Sequence, residues 1–433
     1  MPDAASRLQS FAEELLQVPL PVRIRAWDGS EAGPPGAPAL VVRNRRALRR
    51  LLWKPGELGL ARAWVAGDLD IEGDFYAALD LVSGLVWNRG EGARSLSEAL
   101  REPEVRTAVR GLLKMAGPPV PPSPPREEVL RRRRGLHTKR TDKRAVSHHY
   151  DVGNDFYEIV LGPSMVYSCA YWESSGATLE NAQRDKLELV CRKLGLTSGR
   201  PGVRLLDVGC GWGSLAVHAA REHGVHVVGV TLSQEQATYA RKRVADQGLT
   251  DRVEIRVQDY RDVTDGPFDA VSSVGMAEHV GGEQYLTYAR DLYALLKPGG
   301  RLLNHQIARR PHVDETAYSL NGFIDAYVFP DGELAPVGTT VTQLERAGFE
   351  VRDVESIREH YALTLRQWVT NLEADWARAQ QLTSPGRARV WRLYMAASAL
   401  AFEQNRIGVN QVLAVRTSGS GASGVPLRTR TWN

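Results

Sequence analysis

An apolar strand that leads through a glycine-rich turn into a helix limits the fold of this chain more than any other feature. The strand is VRLLDVGC (203–210), and the amphipathic helix after the turn is SLAVHAAREH (214–223). Further apolar strand segments follow at 225–233, 253–260, 268–275 and 300–307. Helical segments such as QEQATYARKRVADQ and YLTYARDLYALLKPGG separate them. This alternation predicts an α/β fold with a doubly wound, mostly parallel sheet.

The chain divides by composition into four predicted parts. Residues 1–115 mix short strand and helix patterns, which predicts a small α+β domain. Residues 116–144 join the proline-rich segment AGPPVPPSPP to a basic tract with four arginines at 131–134, and we interpret them as a linker. Residues 145–415 form the main domain, which ends with long helical segments. Residues 416–433, rich in Gly and Ser, predict a disordered tail.

Composition and charge narrow the class of protein. Cys169, Cys191 and Cys210 are the three cysteines, and they form neither a CxxC pair nor an even set. We therefore expect a reducing, cytoplasmic compartment and no metal site. No apolar stretch approaches the roughly 20 residues of a membrane span. The basic tract is interpreted as a solvated linker or as a patch for anionic phospholipid, and no nucleic-acid-binding fold accompanies it.

The glycine-rich turn predicts a cofactor site. Gly209, Gly211 and Gly213 allow the backbone to approach a ligand closely. The spacing is GxGxG, unlike the GxGxxG that usually binds a dinucleotide, and Asp207 stands just before it. This pattern suits S-adenosylmethionine, which has no phosphate but has an amino-acid end to hold. The structural alternative is a tight turn that binds nothing.

Polar residues after the next two strands extend the predicted cofactor site. Thr231, Ser233 and Gln236 follow the second strand, where nucleotide-binding folds often have an acid for the ribose hydroxyls. Asp259 and Tyr260 follow the third strand. We expect Asp259 to reach the adenine amino group and Tyr260 to lie beside the ring. The alternative role of Asp259 is a helix cap.

Taken together, these residues resemble the cyclopropane-fatty-acyl-phospholipid synthase family of S-adenosylmethionine-dependent methyltransferases. The resemblance covers about 145–415 and rests on HHYDVGNDFYEIVLGPSMVYSCAYWE, LLDVGCGWGSLAV, VVGVTLSQEQ, VGMAEHVG, YVFPDGELAP and EHYALTLRQW. It implies a class I methyltransferase fold. The N-terminal part is similar, more weakly, to the small lipid-interacting domain of the longer bacterial members.

The resemblance also implies a reaction and its residues. The family methylates a cis double bond in a phospholipid acyl chain, which leaves a carbocation that aromatic faces stabilise. A bound bicarbonate then removes a proton. The residues that match its binding site are Glu278, His305, Tyr361, Cys169 and, through its backbone, Ile307. The residues that match the site for the methionine end of the cofactor are Tyr167 and Ser168.

Several of these positions have structural alternatives. Glu278 has the alternative of an ordinary surface acid, His305 that of a core histidine, and Tyr361 that of a packing residue. The reaction that the resemblance implies has no acyl group for a nucleophile to hold, so we interpret Cys169 as a pocket wall and not as a nucleophile. Two positions, Ala277 and Asn304, depart from the commoner phenylalanine and leucine of the family.

The tract RRGLHTKRTDKRAVSHHYDVGNDFY is most similar to an actinobacterial branch of the family. That branch makes 10-methylene chains, which are precursors of 10-methyl, tuberculostearic-type fatty acids. It works with a separate flavin-dependent reductase. We therefore predict a 10-methylene product from oleoyl-type phospholipid, with cyclopropane closure as the alternative. Less favoured are a methyltransferase of a soluble small molecule and a non-catalytic lipid-binding protein. The expected location is cytoplasmic and peripheral, at the inner membrane face, and a homo-oligomer is left open.

Overall fold

The computed structural model describes residues 3–86, 103–118, 120–129, 152–196, 202–312, 315, 321–330, 332–428 and 430. Contacts between Cα atoms divide the chain into two compact units. The first contains Met1–Leu130, Asn321–Tyr327 and Ser384–Leu400, and the second contains Arg131–Leu320, Val328–Thr383 and Ala401–Asn433. The first unit thus includes two C-terminal segments that the domain limits drawn from composition do not.

The first unit contains a four-stranded mixed sheet with the order β2-β1-β3-β4. Its strands are Arg23–Arg25 (β1), Glu31–Ala32 (β2), Ala39–Val42 (β3) and Leu69–Glu72 (β4). The helices of the N-terminal part are Ala4–Leu16 (α1), Arg46–Trp53 (α2), Glu57–Val65 (α3), Phe75–Val86 (α4) and Pro103–Ala116 (α5). Buried side chains of α1, α2 and α5, among them Leu8, Leu48 and Leu112, join Ile24 and Val42 of the sheet in one core. This is the predicted small α+β fold.

The second unit contains a seven-stranded sheet with the order β10-β11-β9-β8-β5-β6-β7. Its strands are Arg204–Val208 (β5), His226–Thr231 (β6), Val253–Val257 (β7), Phe268–Val274 (β8), Leu296–Arg309 (β9), Glu350–Ser356 (β10) and Ile407–Val415 (β11). The strands from β5 to β9 are parallel, whereas β11 pairs antiparallel with both β9 and β10. The predicted α/β fold class is confirmed.

Helices cover both faces of this sheet. They are Asn154–Leu161 (α6), Leu179–Leu194 (α7), Ser214–His223 (α8), Gln234–Asp246 (α9), Tyr285–Ala294 (α10), Val337–Arg346 (α12), Arg358–Ala374 (α13) and Trp376–Leu382 (α14). Gly322–Tyr327 (α11) belongs to the first unit, and most of Pro385–Glu403 (α15) does as well. Neighbouring residues of β5 alternate between the faces: Leu205 packs in the core with α7 and α8, and Leu206 in the core with α10.

The strand order fixes where a ligand can bind. From β5 the chain adds β6 and β7 on one side and then β8 and β9 on the other. In open α/β sheets a ligand binds at such a reversal, outside the carboxyl ends of the strands. The turn after β5, at residues 209–213, therefore lies at the expected position of the cofactor.

The segment predicted as a disordered tail forms hydrogen bonds with residues of β9 and β10. The tail begins beside β9, where the N–H of Arg416 donates to the carbonyl of Gly300 at 3.0 Å. Farther on, Arg430 Nε donates to Asp353 Oδ1 at 3.0 Å.

The arginines at 131–134 of the basic tract lie outside the described residues. None of the described helices has the length and apolarity needed to cross a membrane.

Candidate active site

The glycine-rich turn between β5 and α8 brings backbone to the centre of a cleft. Gly209 and Gly211 have φ values of +76° and +54°, which side chains with a Cβ rarely adopt. A Cβ on Gly209 would lie 3.2 Å from Cγ of Met276. Gly213 has a different role, because a Cβ there would lie 3.0 Å from Cβ of Ala240 in α9. Gly213 begins α8 and packs against a helix, outside the cleft lining.

The cleft contains about 1340 Å3 of space free of atoms, including its open mouth. It lies at the carboxyl ends of β5, β6, β7 and β8. All predicted cofactor residues except Gly213 and Ser233 line it: Tyr167, Ser168, Asp207, Gly209, Gly211, Thr231, Gln236, Asp259 and Tyr260. The fold thus brings together in one cleft residues from four distant stretches of sequence.

At the end of β6, a hydrogen bond joins two of these residues. Thr231 Oγ1 donates to Gln236 Oε1 at 2.8 Å, and both side chains are buried. Ser233 caps α9, because its Oγ accepts from the N–H of Gln236 at 3.2 Å. Ser233 therefore positions Gln236 and does not itself line the cleft.

At the end of β7, Asp259 has the capping role that was its structural alternative. Its Oδ1 accepts from the N–H of Arg261 at 3.0 Å and so caps the short 3-10 turn Tyr260–Asp262. Its carboxylate also forms an ion pair with the guanidinium of Arg261, at 2.6 Å. The side chain still faces the cleft, and Tyr260 lies beside it, edge-on to Tyr288 with ring centroids 5.7 Å apart.

Lys186 was not among the predicted residues, although it lines the same cleft. It is 2% exposed, and its Nζ donates to Ser168 Oγ at 3.0 Å. Burial lowers the pKa of Lys186 to about 8, against the opposing effects of Cys169 and Asp207. Burial also raises the pKa of Asp207 to about 6, although Ser272 Oγ donates to it at 2.7 Å. The cleft thus holds a buried cation beside the predicted site for the methionine end of the cofactor.

The helix register of α7 offers a signal for Lys186. The helix buries Ala182, Gln183, Lys186 and Lys193 along one stripe, the face that an amphipathic helix gives to its core. Gln183 Nε2 donates to the carbonyl of Ser168 at 3.0 Å. Polar residues at core positions of a helix are costly unless they are paired. Gln183 and Lys186 thus hold the segment that contains Tyr167 and Ser168.

The predicted bicarbonate residues are not among the residues that line the cleft. Glu278 Oε1 accepts from the N–H of Ile307 at 2.8 Å. Its second oxygen, Oε2, is buried and has no hydrogen-bond partner among the described residues. Burial raises the pKa of Glu278 to about 7, against the hydrogen bond from Ile307. Glu278 and Ile307 are therefore in contact, and one carboxylate oxygen is left for another group.

His305 is 2% exposed, and a contact at its Nδ1 orients the ring. Lys193 Nζ donates to Gln411 Oε1 at 2.8 Å, and Gln411 Nε2 lies 3.3 Å from His305 Nδ1. Because an ammonium only donates, Gln411 must turn its NH2 toward the ring, so Nδ1 accepts and Nε2 carries the proton. Burial, with Lys186 and Lys193, lowers the pKa of His305 to about 3. The ring is thus a neutral donor.

Within the described residues, His305 Nε2 is buried without a partner, as is Glu278 Oε2. A buried polar group without a partner is costly, and such groups are rare in proteins. Here one is a donor and the other an oxygen that accepts when ionised. Bicarbonate, an anion with one hydroxyl, fits such a set, because it accepts through its oxygens and donates through its hydroxyl. The residues present therefore suit the predicted group.

Cys169 is fully buried and has no nucleophilic character. Its Sγ lies 3.2 Å from the carbonyl of Ala170 and 3.6 Å from that of Ile357, at hydrogen-bond distance for a thiol. Burial raises the pKa of the thiol well above its ordinary value, although Lys186 opposes this. A protonated, hydrogen-bonded thiol is a poor nucleophile. Cys169 is not among the residues that line the cofactor cleft, and its place in the wall of the bicarbonate pocket stays a prediction.

Tyr361 lies in a chain of aromatic rings. Its ring centroid is 4.7 Å from that of Phe402 and 6.0 Å from that of Trp368. Trp368 is in turn 5.4 Å from Tyr167, which lines the cleft, and 5.7 Å separate Tyr167 from Tyr157. The faces of Tyr167 and Trp368 are thus the aromatic surfaces that connect the cleft with Tyr361.

Two other rings of the segment YSCAYW are structural. Tyr171 stacks on His360 with centroids 4.7 Å apart, and its hydroxyl donates to Glu355 at 3.3 Å. Trp172 Nε1 donates to Thr364 Oγ1 at 3.0 Å. These contacts fix the two rings against α13 and β10.

The two departures from the family pattern are both buried. Ala277 packs in the core beside Tyr288, on the face of the sheet with α10. Asn304 Oδ1 accepts from Tyr288 Oη at 2.8 Å, and Asn304 Nδ2 donates to Gln306 at 2.7 Å. Successive residues of a strand point to opposite faces, so the amide of Asn304 points away from His305. Asn304 therefore extends a buried polar network of its own.

A mostly parallel sheet with a glycine-rich turn and a cleft at its switch point is the architecture of class I S-adenosylmethionine-dependent methyltransferases, although other nucleotide-binding folds share these features. The family model described as mycolic acid cyclopropane synthetase matches residues 137–412. The chain belongs to this family. The predicted family, enzyme class and methyl-donor cofactor are thus confirmed.

Relatives along almost the full length agree with this assignment. The "Probable fatty acid methyltransferase Rv3720" of Mycobacterium tuberculosis is 44% identical over 94% of this chain and 94% of its own. The "Tuberculostearic acid methyltransferase UfaA1" of the same organism is 32% identical over 92% of this chain and 88% of its own. The "Cyclopropane-fatty-acyl-phospholipid synthase" of Escherichia coli is 40% identical over 62% and 66%. The predicted actinobacterial branch has support from the first two.

Two solved structures each match nearly two thirds of this chain. The cyclopropane synthase MmaA2 of Mycobacterium tuberculosis has a TM-score of 0.59 at 30% identity, over 65% of this chain and 99% of its own. The mycolic acid cyclopropane synthase CmaA1, complexed with SAH and CTAB, has a TM-score of 0.59 at 33% identity, over 63% and 97%. The additional length of this chain lies mostly outside these matches.

Proposed function

We propose that this protein transfers the methyl group of S-adenosylmethionine to the cis double bond of an oleoyl-type chain in a membrane phospholipid and releases a 10-methylene chain. The observation that carries the proposal is that Glu278 Oε2 and His305 Nε2 are both buried without a hydrogen-bond partner among the described residues, in the same unit as a cleft suited to the cofactor. The full-length relatives are named as fatty acid and tuberculostearic acid methyltransferases. The relative named as a cyclopropane synthase matches only 62% of this chain.

When bound, S-adenosylmethionine supplies an electrophilic methyl group and bicarbonate supplies a base. The chain's own residues hold both. Gly209 and Gly211 admit the cofactor against the backbone, and Lys186 and Ser168 lie at its expected methionine end. Toward bicarbonate, the neutral His305 would donate a hydrogen bond from Nε2. Glu278 would be protonated or ionised at Oε2 according to pH, because burial raises its pKa to about 7. The ring of Tyr167, which lines the cleft and packs against Trp368, would exclude water and stabilise positive charge.

The proposed reaction balances on the acyl chain. The methyl–sulfur bond breaks as a bond forms between that methyl carbon and one alkene carbon, and the other alkene carbon becomes cationic. A hydride then shifts between the two chain carbons. Loss of a proton from the methyl group gives the exocyclic methylene. Direct loss of that proton, without the hydride shift, would instead close a cyclopropane ring, which is the alternative product.

The decisive experiment separates these two products, which have the same mass. Vesicles of dioleoyl phospholipid are incubated with the purified protein and S-adenosylmethionine, and the released fatty acids are treated with ozone before mass spectrometry. A 10-methylene chain is cleaved to a ketone, whereas a cyclopropane chain survives. Resistant product would replace the proposal by ring closure. Glu278→Gln is the matched control, and it should give neither product.

Conversion of the methylene to a 10-methyl chain needs two electrons and two protons, which this reaction does not generate. We propose that a separate flavin-dependent reductase supplies them. The purified protein alone should therefore accumulate the alkene. A saturated 10-methyl product from the protein without a reductant would contradict this division of labour.

We further propose a cytoplasmic protein that binds the inner membrane face through its first unit. In this unit Trp53 is 52% exposed and Leu113 is 49% exposed. Trp53 ends the arginine-rich helix α2 and precedes the exposed Lys54. Exposed aromatic and cationic side chains together are typical of membrane interfaces. The arginines at 131–134 would add attraction to anionic lipid.

Vesicle flotation tests the membrane proposal. Trp53→Ala should weaken binding to vesicles with anionic lipid, and Gln at positions 131–134 should weaken it most at low salt. Leu382→Ala is a matched control in the second unit, where Leu382 is 36% exposed. Equal losses in the control and in Trp53→Ala would show that the first unit has no special part in binding.

A further inference from the structure

Helices α7 and α8 bring four metal-ligating side chains together, away from the cleft lining. Cys191 and Glu188 are one turn apart on α7, while His218 and His223 are on α8. The ligand atoms of Cys191, His218 and His223 lie within 4.8 Å of one another. Glu188 Oε2 is 3.1 Å from His218 Nε2 and 3.0 Å from His223 Nε2. Two distant segments thus place a thiol, two imidazoles and a carboxylate at one point.

We propose that Cys191, His218 and His223, with Glu188 beside them, form a binding site for Zn2+. One sulfur, two imidazole nitrogens and one carboxylate oxygen are the ligands that zinc takes in tetrahedral sites. Bonds of about 2.0–2.3 Å place such ligand atoms roughly 3.5 Å apart, so modest side-chain rotations close the present spread. Nothing in the proposed methyl transfer uses these residues.

The surroundings of the cluster also suit a bound ion. Cys191 is fully buried in the core with Leu187 and Val190, and His218 is 5% exposed. The side chains of His223 and Glu188 are 12% and 28% exposed, which leaves a route from solvent. Arg192 Nε donates to the other oxygen of Glu188 at 2.8 Å and fixes the carboxylate. The cluster is therefore buried at Cys191 and accessible from solvent at His223 and Glu188, so an ion can enter it.

Binding balances in protons without any redox step. Cys191 binds as the thiolate and releases its proton to solvent. Each imidazole binds as the neutral form, and the metal takes the place of the proton now shared between Nε2 and Glu188. That proton moves to Nδ1 of the same ring, so the histidines lose none. A bound ion would fasten α8, which follows the glycine-rich turn, to α7, which carries Lys186. The expected effect is therefore on stability.

The test uses untagged full-length protein dialysed against Zn2+ and then against metal-free buffer. One zinc per chain should remain by mass spectrometry of the metal, and Zn2+ should raise the melting temperature. Replacement by Co2+ should give an absorption band from sulfur-to-cobalt charge transfer. Retention of no zinc by the wild type would overturn the proposal and leave a hydrogen-bonded Glu–His–His cluster.

Variants assign the ligands. His223→Gln, at a partly exposed position, should lose the retained zinc, and Cys191→Ser should lose the charge-transfer band. The matched control is His226→Gln, an exposed histidine on β6 outside the cluster, which should bind like the wild type. Zinc that persists in His223→Gln, with an unchanged cobalt spectrum in Cys191→Ser, would place the metal elsewhere. The spectrum is informative even if Cys191→Ser is less stable.

Discussion

Replacing Glu278 by glutamine should make the protein more stable and less active at the same time. The substitution keeps the shape and the oxygen that accepts from the N–H of Ile307 at 2.8 Å. It removes only the ionisable oxygen, whose burial raises the pKa of Glu278 to about 7 from an ordinary 4.5. At about 1.4 kcal/mol per pKa unit, ionising this group in the folded protein costs at most about 3 kcal/mol.

The sign of the pH dependence follows from this shift. A folded-state pKa above the unfolded one means that the native protein holds the proton more tightly. The contribution of Glu278 to stability is complete below pH 4.5 and is lost as the pH rises through about 7. Glutamine has no such loss. The free energy of unfolding of Glu278→Gln should therefore match that of the wild type in acid and exceed it by up to about 3 kcal/mol at alkaline pH.

Denaturant unfolding across this pH range measures the stability, and transfer of labelled methyl to oleoyl phospholipid measures the activity. Turnover of Glu278→Gln should fall by about a hundredfold or more, since a group that handles a proton in the reaction is lost. Affinity for S-adenosylhomocysteine should stay unchanged, because Glu278 does not line the cofactor cleft. A variant less stable than the wild type at alkaline pH would refute the argument from burial. Wild-type turnover would refute the bicarbonate assignment.

Three further predictions test the remaining site. Gly209→Val should abolish S-adenosylhomocysteine binding, because Gly209 has a φ of +76° and lies against Met276; Gly338→Ala, where nothing lies within 4 Å of the added carbon, should bind normally. Lys186→Met should weaken S-adenosylhomocysteine by roughly tenfold to a hundredfold, the worth of a hydrogen bond to a charged group, but leave 5′-methylthioadenosine, which lacks the amino-acid end, unaffected; equal losses for both ligands would place Lys186 elsewhere. Gln411→Leu removes the donor to His305 Nδ1, so the bicarbonate concentration for half-maximal rate should rise while cofactor affinity holds, and a loss of cofactor affinity instead would contradict the orienting role.

The parallel part of the fold and the cofactor cleft were within reach of the sequence. Strands that are buried on both faces read as short apolar runs, so 203–210 and 268–275 nearly coincide with β5 and β8. The turn requires glycine because Gly209 and Gly211 have positive φ values, which residues with a Cβ rarely adopt. Positions that follow such strands must meet at one edge of the sheet, which is why Thr231 and Asp259 were predicted together. The bicarbonate residues, in contrast, were identified only by resemblance.

Pairing between side chains was beyond the reach of the sequence. Ser233 and Asp259 have the same polar character as cofactor ligands, yet one oxygen of each side chain serves as a helix cap. A cap and a ligand use the same short side chains, and only the orientation separates them. The residue type of Lys186 gives no sign of burial, because long cationic side chains usually reach solvent. Its buried neighbours on α7 show that its position on the helix, and not its residue type, indicates that Lys186 is buried.

The least predictable element, β11, also completes the site. Its sequence IGVNQVLAV follows a long helix and reads as one more apolar run, but it pairs antiparallel with both β9 and β10. That pairing sets Gln411 directly opposite His305 in register. Because Lys193 fixes the amide of Gln411, the antiparallel strand determines which nitrogen of His305 carries its proton. The departure of the sheet from parallel order is therefore tied to the chemistry: without β11 the histidine would be buried with no partner to orient it.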